Sequence, residues 1–292
     1  KYIMNKKLTI VLVCYFSHGI INKVLKTLKQ YKVIIIENSL DARFKKDLEK
    51  KYNNVEVIIP NRNIGLARGY NLGIKLARTK YVFLNCPDFE ISHQDMNQLI
   101  LYANTIKKFG IISPIYAEEK NFRNYGGEKS IKQESSSFYQ KNKILAVNWI
   151  DNSFVVNKKQ IKNNLFDENY FLWFETIDFC LNLRRKNFKL FITRKIKFKH
   201  YGSKSTDQKF DKIVSLTRAW HYNWSKFYYY RKNYDYIFAL TKIFPNFIKA
   251  LKKFTISLFK FNKFGIYLAL IELYGIVSSI LCLKSFYRPQ IK

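Results

Sequence analysis

Acidic residues and cysteines are the scarce side chains of this chain. Asp and Glu number 21 against 52 Lys and Arg, so the formal net charge is +31 at pH 7. The four cysteines are scattered and form no CxxC pair. Their spacing argues against a disulfide scaffold or a thiolate zinc site and favours a reducing compartment. The hydrophobic content of 48% argues against wholesale disorder.

Arginine is also scarce, with 11 Arg against 41 Lys. Direct reading of DNA bases favours Arg, which binds guanine through two hydrogen bonds. A basic nucleic-acid-binding protein is therefore the least favoured explanation of the charge. Lys, Asn, Ile, Phe and Tyr are abundant in ordinary proteins that an AT-rich genome encodes, and this bias explains part of the positive charge. An anionic membrane surface is the partner we expect for the remaining charge.

The first hundred residues alternate strand and helix signals. Short apolar, β-branched runs predict buried strands at residues 8–14, 33–36, 55–59 and 81–84. Helical stripes at residues 20–28 and 65–77 lie between them. Alternation of this kind predicts an α/β fold with a mostly parallel central sheet flanked by helices.

Later segments complete the predicted organisation. Residues 172–185 have a helical pattern, and residues 189–199 a strand pattern that ends at His200. The polar stretch 118–143 predicts a loop. After residue 206 the alternation ends and aromatic residues mix with lysines. We therefore predict a catalytic domain over residues 4–205 and a C-terminal helical region over residues 206–292.

Polar side chains follow each predicted strand of the first half. Tyr15, Glu37, Asn63 and Asp88 all come after a strand signal. Ligands of open parallel sheets bind beyond the carboxyl ends of the strands. We therefore expect these four side chains to face one cleft.

Seven segments together resemble family 2 glycosyltransferases of the GT-A fold. They occur in the family's order between about residues 8 and 206. Within the family they most resemble the rhamnosyltransferase-like branch. The segments are 12–15 (LVCY), 36–41 (IENSLD), 63–73 (NIGLARGYNLG), 86–88 (CPD), 166–171 (FDENYF), 175–181 (ETIDFCL) and 200–205 (HYGSKS).

The resemblance implies a nucleotide-sugar donor and a divalent cation. Hard oxygen ligands suit Mg²⁺ or Mn²⁺, which would neutralise the diphosphate leaving group. Asp88 occupies the place of the family's metal-binding acid, and His200 that of a second ligand or phosphate contact. A turn aspartate and a structural histidine are the alternatives. Cys86 stands where the family has a polar residue.

The resemblance also implies four donor-binding side chains besides Asp88. Glu37 would bind the ribose or pyrimidine, and Tyr15 would lie against the base. Asn63 and Arg68 would contact the phosphates near a helix N-terminus. A surface acid, a core tyrosine and a helix cap are the alternatives for Glu37, Tyr15 and Asn63.

The sequence offers more than one candidate for the catalytic base. An inverting transferase needs a carboxylate to take the proton of the acceptor hydroxyl, and the family's usual aspartate is replaced by Thr176. Glu175 and Asp178 are our candidates, since they lie three residues apart on one helix face. Asp151 stays open as a third candidate, and an inactive enzyme is a further alternative.

The C-terminal region predicts membrane association. Phe247, Leu251, Phe254, Leu258 and Phe261 form an apolar stripe with lysines on other faces, as in interfacial helices. Residues 264–283 are long enough to span a bilayer but carry the central acid Glu272, so an interfacial or protein-packed helix is favoured over a span. A helical cap on the catalytic core is the alternative.

The sequence therefore predicts a metal-dependent inverting glycosyltransferase at the cytoplasmic face of the cell membrane. It would move a sugar, L-rhamnose for instance, from a dTDP- or UDP-sugar to a lipid-linked oligosaccharide or polysaccharide. Bacterial surface glycan synthesis is the context that the resemblance implies. A degenerate sugar-binding homologue is the main rival. A nucleotidyltransferase would need a basic Gly-rich loop after the first strand, which residues 15–19 lack.

Overall fold

The computed structural model describes residues 5–106, 108–117, 123–127, 137–151, 153–202 and 205–289. These residues form two compact units. The first comprises described residues of Lys1–Ile64, Arg68–Phe166 and Thr176–Asp207, and the second those of Gly65–Ala67, Asp167–Glu175 and Gln208–Lys292. The functional boundary predicted at residue 206 stays a prediction.

The first unit is built on a central sheet. The first unit contains eleven strands among the described residues, two of which, β7 and β9, form a separate two-stranded sheet. The strands are β1 (Asn5–Cys14), β2 (Tyr31–Glu37), β3 (Val55–Ile58), β4 (Tyr81–Asn85), β5 (Phe89–Glu90), β6 (Ile111–Tyr116), β7 (Tyr125–Gly126), β8 (Ile144–Val147), β9 (Trp149–Ile150), β10 (Phe154–Asn157) and β11 (Leu190–His200). Within the described residues, nine strands form the large sheet in the order β3-β2-β1-β4-β10-β6-β11-β5, with β8 also paired to β11.

Most neighbours in the first half of the sheet are parallel. β1 pairs in parallel with both β2 and β4, and β2 pairs in parallel with β3. β10 is antiparallel to both of its neighbours, β4 and β6. The mostly parallel sheet predicted from the alternating pattern is confirmed, and the antiparallel insertion of β10 is the feature that the pattern did not indicate.

Helices follow the strands in chain order. They are α1 (His18–Thr27), α2 (Ala42–Lys51), α3 (Gly65–Leu76), α4 (His93–Thr105), α5 (Ser137–Lys141), α6 (Glu175–Arg185), α7 (Asp211–Asn233), α8 (Tyr236–Phe259) and α9 (Lys263–Ile280). Asp41 caps α2 by accepting from the backbone N–H groups of Arg43 and Phe44. Such caps satisfy donors that a helix start leaves open. Ser92 caps α4 in the same way, whereas α1 and α3 have no side-chain cap.

Two predicted segments differ from the structure. The helix expected from residue 172 begins only at Glu175, because Trp173 and Phe174 have φ angles of 72° and 66°. Side chains other than glycine rarely adopt that left-handed region, and no right-handed helix continues through it. The predicted loop 118–143 contains β7 and α5, and its remainder lies largely outside the described residues.

Glycines allow α3 to pack closely on β1. A Cβ atom added at Gly73 would lie 2.2 Å from a methyl carbon of Val11, and one at Gly69 would lie 2.8 Å from Val13. Contacts this short do not occur between real side chains. Close packing of helix on strand therefore explains Gly69 and Gly73 without any ligand.

The second unit contains α7, α8 and α9, which pack against one another. Small residues dominate the buried faces of α8 and α9: Ala239, Ala250, Ser257, Gly265, Ala269, Gly275, Ser278 and Ser279. Large apolar residues point outward, among them Ile237, Phe244, Ile256, Phe259 and Phe261. Large apolar residues are buried as well, in two clusters that contain Trp220, Trp224 and Phe227 of α7 with Ile243, Ile271 and Ile276.

The apolar stripe predicted along α8 is only partly exposed. Phe247 and Phe254 are half-buried, whereas Leu251, Leu258 and Phe261 are exposed. The central acid of α9, Glu272, forms an ion pair of 2.7 Å with Lys253. Helix α9 is long and apolar enough to cross a membrane by length and composition, and 39% of it is buried.

Candidate active site

The parallel strands bring several predicted side chains to one edge of the sheet. In the register of β1 and β2, Cys14 is the partner of Glu37, so Tyr15 and Glu37 come at the carboxyl ends of adjacent strands. β4, the other parallel neighbour of β1, ends at Asn85, three residues before Asp88. The carboxyl edge of the sheet is therefore where the acids gather, as the strand pattern predicted.

Glu37 is a buried carboxyl group that is only half satisfied. Its side chain is 0% exposed. Oε1 accepts a hydrogen bond from the backbone N–H of Ser39 at 2.7 Å and another from the Ser39 hydroxyl. Oε2 has no hydrogen-bond partner within the described residues. Burial raises the pKa of Glu37 from 4.5 to about 7, against the opposing effect of the Ser39 hydrogen bonds. A hydroxyl or N–H donor of a ligand would satisfy Oε2.

Two residues beside Glu37 hold the surrounding loops together. The backbone N–H of Asn38 donates to the Cys14 carbonyl at 2.8 Å, and its Oδ1 accepts from the N–H of Ile64 at 3.2 Å. The Ser39 hydroxyl accepts from the N–H of Phe16 at 3.2 Å. Asn38 and Ser39 lie in the segment 36–41, whose resemblance to the family gave them no role of their own. Their position directly after a buried strand is the signal for this positioning role.

Tyr15 and Asn63 are brought together by the fold. The two side chains are hydrogen-bonded, and burial raises the pKa of Tyr15 while the Asn63 bond opposes that change. Asn63 does not cap α3, whose N-cap residue is Ile64 and makes no side-chain cap. Arg68 is exposed on the first turn of α3.

Asp88 and His200 meet although they are far apart in the chain. Nε2 of His200 lies 3.1 Å from Oδ2 of Asp88, whose side chain is 5% exposed, while the imidazole is 30% exposed. The backbone N–H of Tyr201 donates to the Asp88 carbonyl at 3.0 Å. The Phe89 ring packs against the imidazole with centroids 4.4 Å apart. The imidazole is thus fixed beside the carboxylate by its own strand and by the turn after β4.

This pair suits a divalent cation that is also held by substrate. The described residues contain no cluster of three or more His, Cys, Asp or Glu. Mg²⁺ binds through one or two carboxylates plus phosphate oxygens and waters, and adjacent ligands of its octahedron lie about 3 Å apart. The separation of Asp88 and His200 matches that spacing. The carboxylate of Asp88 also suits Mn²⁺.

Cys86 occupies the turn position where a polar residue was expected. Its sulfur lies 3.8 Å from the hydroxyl of Tyr70 on α3. The thiol thus joins the turn to the helix, which gives it a packing role. Tyr201 and Glu90, which are hydrogen-bonded to each other next to Asp88 and His200, are further polar residues that the sequence did not single out.

The candidate bases lie on α6 and are both buried. Glu175 begins the helix and is 4% exposed, and Asp178 is 0% exposed. Asn182, one turn later, donates to Oδ2 of Asp178 at 3.2 Å. Thr176, in the place of the family's aspartate, is 3% exposed. Asp151 lies between β9 and β10, where its backbone N–H donates to the Asn124 carbonyl at 2.7 Å.

The sheet and its strand-end residues define a GT-A-like protein. The chain belongs to glycosyl transferase family 2, since the profile of that family matches residues 9–169, more than half of the chain. The resemblance and the fold predicted from the sequence are thereby confirmed. Glycosyl transfer from a nucleotide-sugar donor follows from the family.

Two individual proteins are similar to the chain. Rhamnosyltransferase WbbL of Escherichia coli K12 is 24% identical over 243 residues, which is 73% of this chain and 88% of that protein. The crystal structure of GalNAc-T7 with UDP, GalNAc and Mn²⁺ matches with a TM-score of 0.57 at 11% identity. That match covers 82% of this chain and 57% of the GalNAc-T7 chain, and it supports the fold alone.

Proposed function

We propose that the protein is a metal-dependent, inverting hexosyltransferase that uses a dTDP- or UDP-sugar. The observation that carries the proposal is the Asp88–His200 pair at the edge of the sheet, 3.1 Å apart. L-Rhamnose is the sugar to test first, because the similar protein WbbL is named a rhamnosyltransferase. A lipid-linked oligosaccharide or polysaccharide of a bacterial surface glycan is the acceptor class.

Asp88 and His200 would hold Mg²⁺ or Mn²⁺ together with the donor diphosphate. The bound cation would neutralise the charge of the nucleoside diphosphate as it leaves. Glu37, with one buried oxygen unsatisfied, would accept a hydrogen bond from the ribose or base. Tyr15 and Asn63 form the neighbouring pair that would contact the nucleoside, and Arg68 would contact phosphate.

Inversion at C1 needs a carboxylate that takes the acceptor proton during attack. Glu175 is our first candidate for this base and Asp178 the second, because Thr176 cannot accept a proton at neutral pH. Asp178 already accepts a bond from Asn182, which suits a positioning residue. Asp151 stays the third candidate.

A donor screen tests the proposal. The full chain is incubated with Mg²⁺ or Mn²⁺ and a panel of dTDP-, UDP- and GDP-sugars, and release of the nucleoside diphosphate is measured with and without acceptor lipid. We expect dTDP or UDP release from one donor and loss of that release with a chelator. Release of GDP alone, or metal-independent turnover, would contradict the proposal.

The presence of Thr176 favours a second candidate function, in which the protein binds the donor without turnover. Replacement of the family's aspartate by a residue that cannot be a base is the specific observation behind it. Calorimetry distinguishes the two. A donor that binds with Mn²⁺ but releases no nucleotide with any acceptor would support the binding role.

We also propose that the second unit attaches the protein to the inner face of the cell membrane. Small residues pack inside α8 and α9 while large apolar side chains face outward, which is the arrangement of helices in lipid. Exposed lysines such as Lys242, Lys249, Lys252 and Lys260 would attract anionic headgroups. An interfacial position of residues 264–283 stays our favoured alternative over a span.

A further inference from the structure

A groove between α7 and α8 in the second unit gathers cations around two amides. We call it the lysine groove and define it by Asn223, Lys226 and Tyr230 of α7 and Lys242, Asn246 and Lys249 of α8. Asn223 is buried, Lys226 and Asn246 are half-buried, and Lys242 and Lys249 are exposed. The α8 residues recur at intervals of four and three, so they share one helix face.

A chain of hydrogen bonds fixes the floor of this groove. Asn223 donates to the Ala219 carbonyl at 2.9 Å, and its Oδ1 accepts from Nδ2 of Asn246 at 2.8 Å. Oδ1 of Asn246 then accepts from Nζ of Lys226 at 2.7 Å. The half-buried ammonium is thus held in place by neutral amides, and two of its three donors remain for a ligand.

Positive charge in the groove is not compensated by the protein. Within the described residues, no carboxylate lies in ion-pair distance of Lys226, Lys242 or Lys249. The contrast is Lys253 on the same helix face, which pairs with Glu272 at 2.7 Å. Burial lowers the pKa of Lys226, and the charges of Lys249 and then Lys242 lower it further. Three ammonium groups held together without an acid favour an anionic ligand.

Aromatic rings orient one of these cations. Nζ of Lys242 lies 4.8 Å from the ring centroid of Phe238 and 5.9 Å from that of Tyr230. Such contacts hold an ammonium group without neutralising its charge. On the same face of α8, seven residues after Lys249, Ile256 is 55% exposed. An exposed apolar side chain thus follows the lysines along this face, as a lipid with an anionic headgroup would require.

We infer that the lysine groove binds the phosphate of an anionic phospholipid headgroup, with the exposed apolar residues of α8 in the acyl region. The inference rests on the proposed membrane attachment and adds a specific site to it. General attraction by lysines depends only on charge, whereas this site depends on the Asn246 amide and on which lysines are present. An experiment can therefore distinguish general attraction by lysines from binding at this specific site.

The test compares two double variants that remove the same charge from the same helix. Lys242→Gln with Lys249→Gln removes groove cations, and Lys252→Gln with Lys260→Gln removes exposed cations outside it. Flotation of the full-length protein is measured with phosphatidylcholine vesicles that contain or lack phosphatidylglycerol. General attraction predicts a loss of about fivefold per lysine in both variants. We expect a loss in the groove variant at least about tenfold beyond the control.

A charge-neutral variant provides an independent readout. Asn246→Ala leaves the net charge unchanged but removes the acceptor that holds Lys226. We expect a weaker preference for phosphatidylglycerol with an unchanged thermal melt. If Asn246→Ala lowers the melting temperature, Lys226→Met is measured in its place. That change keeps the apolar stem of the side chain and removes the held ammonium group.

The outcomes separate the groove from the membrane proposal. Equal losses in the two double variants would overturn the groove and leave the membrane attachment standing. A wild-type protein that ignores phosphatidylglycerol would overturn the membrane attachment itself. Inorganic phosphate supplies the last arm: phosphate binding in calorimetry that the groove variant loses, together with equal flotation losses in the two double variants, would assign the groove to a soluble phosphate instead of a lipid.

Discussion

At the scale of single residues, the strand-end acids differ in how burial is compensated. Asp88 is buried beside an imidazole that can share a cation or carry a positive charge. Glu37 is buried with hydrogen bonds to one oxygen only. A carboxylate without a positive partner is costly in the interior, so its proton is retained to higher pH. We therefore expect a pH dependence from Glu37 and a metal dependence from Asp88.

Glu37 gives the free energy of unfolding a specific pH dependence. Its pKa is about 7 in the folded protein against an ordinary 4.5, so the folded state holds a proton that the unfolded state has released between these values. Stability should fall as the pH rises through that interval, by roughly 3 kcal/mol. Urea denaturation of wild type and Glu37→Gln at several pH values measures this, and the variant should lack that fall. The same dependence of unfolding free energy on pH in both proteins would contradict this prediction.

Asp88 should decide metal-dependent nucleotide binding. Asp88→Asn keeps the shape but removes a unit charge next to the diphosphate, so affinity for UDP or dTDP with Mn²⁺ should fall by about 10²-fold. Calorimetry measures the affinity. Asp47→Asn, the same change on the exposed face of α2, is the matched control and should bind normally. An unchanged affinity of Asp88→Asn would remove this residue from the metal site.

Glu175 and Asp178 can be told apart by isosteric variants. Glu175→Gln should bind donor normally and lose about 10²- to 10⁴-fold in turnover, because a general base is worth that much. Asp178→Asn should cost less if its task is to hold a neighbour. Turnover at saturating donor is the measurement, with folding checked by thermal melts. The reverse order of effects would exchange the two roles, and two active variants would direct attention to Asp151.

At the scale of elements, glycine spacing fixes how α3 lies on the sheet. Gly69 and Gly73 face Val13 and Val11 of β1 so closely that a methyl group has no room. The start of α3 follows the loop that carries Asn63, whose side chain is bonded to Tyr15. Close packing of this helix therefore positions the loop at the strand ends.

Gly73→Ala should destabilise the protein through this contact. The new Cβ would lie 2.2 Å from Val11, and overpacking of this kind costs typically ~1–3 kcal/mol or more. Gly19→Ala is the control, because nothing lies within 4 Å of its added Cβ and α1 would gain up to about 1 kcal/mol in helix propensity. Urea unfolding of both variants measures the changes. Equal stability of the two would show that α3 can shift away from β1.

At the scale of the whole molecule, the two compact units differ in the apolar side chains that they leave exposed. The first unit has a core of large aliphatic and aromatic side chains between sheet and helices. The second also buries large apolar residues such as Trp220 and Phe227, but the buried faces of α8 and α9 are rich in Ala, Ser and Gly, and many large apolar side chains face outward. Water favours the first arrangement, and lipid tolerates the second.

Phe259 and Phe261 should contribute to membrane attachment. Their side chains are 79% and 89% exposed, and burial of a phenylalanine in an apolar phase is worth ~1.5–3 kcal/mol. Replacing both by Ser should lower partition onto phosphatidylglycerol vesicles by about 10²-fold. Leu101→Ser, at an exposed leucine of α4 in the first unit, should leave the partition unchanged. A similar loss in both variants would point to general surface hydrophobicity.

The sequence by itself determined the family, the four strands of the first half, the strand β11 and the helices α1 and α3, whereas β5 to β10 were not predicted. Buried parallel strands are continuous apolar runs, and residues 63–73 combine helical period with glycines that close packing requires, so local pattern carries this information. Asp88, Glu37 and Tyr15 were found because ligands of such sheets collect at strand ends. The start of α6 was missed because residues 173 and 174 adopt a left-handed conformation that no composition indicates.

Only the tertiary structure decided which residues meet. The distance between Asp88 and His200, the bond of Tyr15 to Asn63 and the unsatisfied oxygen of Glu37 all depend on chain segments that are far apart in sequence. The same is true of α8, where the helical period alone could not tell which face packs. The small residues pack inward because α7 and α9 approach closely there, and that approach leaves the lysines and large apolar side chains outside.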